Sequence, residues 1–168
     1  MKKRRHHYVW QHYLAAWATS EFIWCRRNTV VFRTNLKNVA VTKDFYRLRD
    51  LTIPEIEFIY KLAIERSQKH LQDFNKGWIS FFTKVFRVKE FCKNNEISDF
   101  NMHEKIDEII QNCEEDLHMH IEDDAIKYLD SLRKEDTTFY DTNRGCIDFA
   151  HFIAVQYLRT EPVRATHL

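Results

Sequence analysis

The chain has 168 residues, of which only two are glycine and two proline, where average usage would put about twenty in a chain this long. With 44% apolar and 14% aromatic residues, that composition excludes collagenous, disordered and turn-rich sandwich classes and reads as one compact domain dominated by helices. Twenty-six basic and 25 acidic side chains leave a net charge of +1, so no global field commits the protein to nucleic acid or to a membrane.

Four cysteines, Cys25, Cys92, Cys113 and Cys146, lie far apart in no metal or redox spacing, which points to reduced thiols in a cytoplasmic protein. No run approaches the roughly eighteen apolar residues of a membrane span, so no membrane partner is expected. Lys2 to Arg5 followed by Tyr8 to Ala18 imitates a signal peptide, but Gln11 and His12 interrupt the apolar part.

After the basic, histidine-bearing arm, Val9, Tyr13, Leu14 and Trp17 recur at helical spacing and predict a short helix within Tyr8 to Ala18. Phe22 to Cys25 and Thr29 to Arg33 predict a hairpin with Asn28 in its turn, while Val39 and Val41 fit either a third short strand or an ordered loop. Thr52 to Glu55 forms a capping box with Pro54 in the first turn, starting a helix expected to run to about Asn75, with a bend at Gly77 before a second helix carrying Trp78, Phe81, Phe82, Val85 and Phe86. From Met102 to Leu132 a clean helical period predicts one long amphipathic helix or two joined end to end.

The last helix, from Thr142 or Asn143 through Leu158, is apolar almost all the way round and is expected at the centre of the fold. The expected architecture is therefore mainly α: one domain over 1–168, with arm, short helix and antiparallel hairpin in 1–50 and a helical bundle around a buried C-terminal helix in 51–168.

On that last helix Gln156, Arg159 and Thr160 point one way. An arginine on a core-grade helix must be paired or must face a cavity, because an isolated buried charge is too costly. Two readings stay open: an anion binder shared with Arg164, just past Pro162, or a structural salt bridge to an acid of the long helix. His6 and His7 fit an acid, base or phosphate-contacting role, and equally a solvated arm. Glu114, His118 and Glu122, spaced i, i+4, i+8, share a helix face that suits a divalent metal, but a charged solvent-facing surface is the commoner outcome, and no metal site is assigned. The residues name no cofactor.

The run His6, His7, Tyr8, Val9, then Tyr13 and Leu14, then Asn38, Val39, Asp44, Phe45 and Tyr46, and finally Gln156, Arg159, Thr160, Pro162 and Arg164, resembles a widespread bacterial family of unknown function. Its members open with HisHisTyrValPro, continue into TyrLeu and carry a later Gln-x-x-ArgThrPro-x-x-Arg-like motif. This chain departs at Trp10, where the family has proline, and at Glu161, inserted before Pro162. Members of the family also continue past that motif into a strand-containing half, so the chain resembles a short or truncated member.

The resemblance implies a joint site in which the arm lies beside the end of the last helix, with His6, His7 and Arg159 as catalytic residues and Tyr13, Gln156, Thr160 and Arg164 binding substrate. An enzymatic family of this kind would suit phosphodiester or nucleotide chemistry, as in a nuclease-like effector of phage defence or a mobile element. The other reading is a noncatalytic binding or interaction module whose histidines and arginines are structural. Nucleic acid or nucleotide, a protein partner or a second copy of the chain are the partners these readings imply.

Overall fold

The computed structural model describes residues 1–160; Pro162 and Arg164 lie outside them. Five α-helices dominate, with a small antiparallel hairpin near the N-terminus. The chain gathers into two compact units that alternate in sequence: Met1–Lys3 with Tyr46–Glu114, and Arg4–Phe45 with the chain from Glu115 onward.

In the first unit, Thr52 caps helix α2 (Ile53–Ile59), and the predicted capping box is present: the Thr52 amide donates to Glu55 Oε2 at 2.8 Å. Arg49 and the Thr52 donors hold the Glu55 carboxyl down at about 2. The helix does not reach Asn75. A wide turn over Tyr60–Ile64 closes with the Glu65 amide on the Tyr60 carbonyl, the Ser67 hydroxyl donates to the Ala63 carbonyl, and the helical ladder ends at Gln68, whose ψ is 139°. A new helix, α3, runs unbroken over Lys69–Asn94. The expected bend at Gly77 is therefore absent: Gly77 sits inside α3 with a negative φ. Helix α4 (Phe100–Arg133) begins in this unit, where Ile106 and Ile110 pack with Val85 and Cys92 of α3. The Lys3 amide donates to Asn112 Oδ1 at 2.8 Å, tying the N-terminus to α4.

In the second unit the arm is a strand. Strand β1 (Arg5–His7) pairs antiparallel with β4 (Val41–Lys43), His6 opposite Thr42 and His7 opposite Val41. The predicted hairpin is β2 (Phe22–Arg27) and β3 (Val30–Asn35), with Asn28 at φ 55° in its turn. Helix α1 is shorter than the periodicity suggests, Gln11–Ala15, because Tyr8 continues the extended ladder, its amide donating to the Ala40 carbonyl at 2.9 Å.

The core of this unit is Ala125, Tyr128 and Leu129 of α4 against Phe149 and Phe152 of helix α5 (Asn143–Leu158), with Trp10 and Phe139 packed at its edge. Helix α5 is covered along one side only. Phe149 and Phe152 are buried, whereas Ile147, Ile153, Tyr157 and Leu158 are exposed, so its all-round apolarity does not mark a helix enclosed at the centre of a bundle.

Candidate functional site

Helix α5 ends at Leu158, and Arg159 at its C-cap is 3% exposed. Its guanidinium donates to Glu122 Oε1 on α4 and to the backbone carbonyl of His7 on β1. Gln156, one turn earlier, donates to the same Glu122 oxygen at 3.4 Å. The N-terminal arm and the end of the last helix thus converge as the sequence suggests, but what joins them is a carboxylate and a peptide oxygen.

Glu122 stands on the α4 stripe that also carries His118, Ala125 and Leu129, four and three residues apart, and both Glu122 and His118 are buried. Their side of α4 is therefore not the solvent-facing one. That spacing is the signal by which the partner of Arg159 can be read from sequence. Burial pushes the Glu122 carboxyl up, and the Arg159 charge, with the Arg159 and Gln156 hydrogen bonds, pulls it back. Among the described residues no group of three or more His, Cys, Asp or Glu side chains is placed to hold a metal ion.

His6 is fully buried, and His7 is half-buried. His7 Nδ1 lies 3.2 Å from the Val39 carbonyl, and its Nε2 lies 2.6 Å from the Gln11 amide nitrogen. One tautomer satisfies both contacts: Nδ1–H donates to Val39 and Nε2 accepts from Gln11. Burial holds the ring below the ordinary histidine value, with the Arg5 and Arg159 charges acting in the same direction and the Val39 hydrogen bond against it.

Beside this locked corner is an open pocket of about 310 Å³, lined by Val9, Tyr13, Phe152, Ile153, Gln156, Tyr157 and Thr160. Three of the residues expected to bind substrate, Tyr13, Gln156 and Thr160, line it. His6, His7 and Arg159 do not, and Arg164 lies outside the described residues. Sequence reasoning missed Val9, Phe152, Ile153 and Tyr157, whose apolar character reads as core until their exposure is known. The Thr160 hydroxyl is turned back onto the Tyr157 carbonyl at 2.9 Å.

Over residues 5–167 the sequence matches the family described as "Protein of unknown function (DUF4238)". The chain belongs to this family. No curated protein and no solved structure matches it. Among the described residues no helix is long and apolar enough to cross a membrane.

Proposed function

We propose that this member of the family is a noncatalytic binding module, in which the histidine and arginine motifs fasten the N-terminal strand to the end of α5 and so hold open an apolar pocket for a partner group. The observation that carries this reading is the engagement of Arg159. A guanidinium 3% exposed, bound to Glu122 and to the His7 carbonyl, must abandon a buried carboxylate before it can meet an external anion, and leaving that carboxylate unpaired is costly. The pocket beside it has an apolar wall that suits an apolar moiety, and the Gln156 amide at its edge also reaches Glu122.

A nuclease-like role, with a histidine as acid or base and Arg159 stabilising developing charge, would need His7 to release Gln11 and Arg159 to release Glu122. The test incubates the full chain with labelled RNA and DNA, with and without magnesium or manganese, and in parallel titrates it with an environment-sensitive apolar dye. The expected result is no cleavage, and dye binding that Ile153→Glu removes while His7→Gln leaves it in place. Cleavage by the wild type that is lost in both His7→Gln and Arg159→Lys, with thermal stability unchanged, would overturn the binding-module reading.

A further inference from the structure

The β2–β3 hairpin has two unlike faces. Side chains alternate along a strand and paired residues share a face, so Phe22, Trp24 and Arg26 stand together with their partners Asn35, Arg33 and Val31. The other face meets the protein at its base, where Ile23 is buried and Cys25 and Thr34 are half-buried. The first face is open: Trp24 is 69% exposed, and Phe22, Val31, Arg26 and Arg33 are exposed as well. From base to tip it presents a ring, then a ring opposite a guanidinium, then a guanidinium. Arg33 lies over the Phe22 ring, 4.9 Å from its centroid, so charge and ring occupy one level.

The charge of the hairpin is uncompensated. Residues 22–35 hold Arg26, Arg27 and Arg33 and no aspartate or glutamate. Arg4, Arg49, Arg133, Arg144 and Arg159 each hold a carboxylate. Among the described residues none of the three hairpin arginines does, the neighbouring Glu21 included; Arg26 donates to the Asn28 carbonyl of its own turn at 3.1 Å. In a chain whose net charge is +1 this is a local excess that the overall balance conceals. None of these residues lines the pocket beside Arg159.

Exposed rings and unpaired guanidiniums on one surface match a strand of nucleic acid whose bases are free, because the bases stack on the planar groups while the cations meet the phosphates. The geometry points to this face of the β2–β3 hairpin as a docking surface for single-stranded nucleic acid, with one base on Trp24, the next against the Phe22–Arg33 pair and a phosphate at Arg26. A second copy laid on the same face about a two-fold axis would set Arg26 and Arg33 against their own copies with no carboxylate between them. A bilayer fits poorly, since Arg26 and Arg27 lie at the tip beyond the rings, and Phe22 would carry the Arg33 charge into hydrocarbon with it. An acidic peptide would meet the guanidiniums and leave the rings without a planar partner, and a duplex keeps its bases stacked on one another.

The experiment is fluorescence anisotropy of labelled oligo(dT) and oligo(U), and of their duplexes, titrated with the full chain across a salt series. A metal chelator in the buffer keeps binding apart from any cleavage. The single strands are expected to bind more tightly than the duplexes, with affinity falling as salt rises. Trp24→Ala should weaken binding by about tenfold or more, and Arg26→Gln should flatten the plot of log affinity against log salt by about 0.7. Phe58→Ala, which removes an exposed ring of α2, should change neither. All three positions are exposed, and circular dichroism checks that the variants remain folded. Absence of binding, equal affinity for single strand and duplex, or binding untouched by Trp24→Ala overturns the proposal. So does tighter binding of polyglutamate or of phosphatidylserine vesicles, or a wild-type dimer in sedimentation that Trp24→Ala splits, since each assigns the face to another occupant.

Discussion

Arg159→Met isolates the ion pair that joins α5 to α4 and β1. Methionine keeps most of the arginine stem and removes the charge, so Glu122 is left buried with only the Gln156 amide at 3.4 Å, and the His7 carbonyl loses a donor. Breaking a buried pair from one side costs about 3–5 kcal/mol, far above the effect of a surface bridge. The loss carries a pH signature. Without Arg159, burial acts unopposed on the Glu122 carboxyl and raises its folded-state pKa further above the ordinary 4.5. A group whose folded pKa is raised stabilises the fold most below its unfolded value, and that contribution is lost as pH rises through the folded one. The deficit of the variant must therefore be full at neutral pH and shrink as pH falls toward 4.5.

Urea unfolding followed by circular dichroism at neutral and mildly acidic pH measures it. Arg159→Met with Glu122→Met should recover most of the loss, because an apolar pair of similar volume replaces two buried charges. A single-variant deficit below about 1 kcal/mol, or one independent of pH, would show that Arg159 is not clamped as described and would reopen its role toward an external anion.

The two glycines should respond in opposite directions. Gly77→Ala is expected to stabilise by about 0.5–1 kcal/mol, since an added Cβ meets nothing within 4 Å and the site is helix interior. Gly145→Ala should cost at least about 2 kcal/mol, because its Cβ would stand 2.0 Å from the Phe139 carbonyl oxygen; thermal melts of both variants check the pair. Glu135→Gly is expected to stabilise by up to about 1 kcal/mol, since Glu135 holds φ 61° at the end of α4. For His7, whose folded pKa is depressed, stability is present above about pH 6.5 and lost as pH falls through it. Melting of His7→Gln against wild type across that range should show a shallower acid loss in the variant; parallel curves would exclude His7 as the group responsible.

Glycine scarcity marks the chain as helical, and the structure shows how it turns without glycine. Ser20, Glu21, Asn28, Ala40, Asp44, Glu96 and Glu135 all take positive φ, and neither glycine does. At the end of α3, Glu96 occupies the left-handed position while the Ile97 amide reaches back to the Cys92 carbonyl at 2.9 Å. Turn chemistry this far from residue preference is not legible from composition. It explains why Gly77 misleads: a glycine reads as a break, whereas the chain leaves the helix at Gln68, whose ψ is 139°. The capping box at Thr52, the hairpin turn at Asn28 and the period of α4 are legible because each is settled by neighbours in sequence.

The site was legible to the same limit. That Arg159 must be paired or must face a cavity follows from the apolarity of α5 alone, since a lone buried charge on such a helix is prohibitive. Which partner it takes depends on two other elements. Glu122 is offered by a long helix with many acids, and the His7 carbonyl becomes available only because β1 pairs with β4 in a register that no residue preference in Arg5–His7 announces. The histidine motif accordingly presents backbone as well as rings: His7 gives its carbonyl to Arg159, one ring nitrogen to Val39 and the other to Gln11. These contacts of His7 tie the strand to α5 and to its own neighbours, whereas Tyr13, Gln156 and Thr160 of the same motifs line the open pocket beside it.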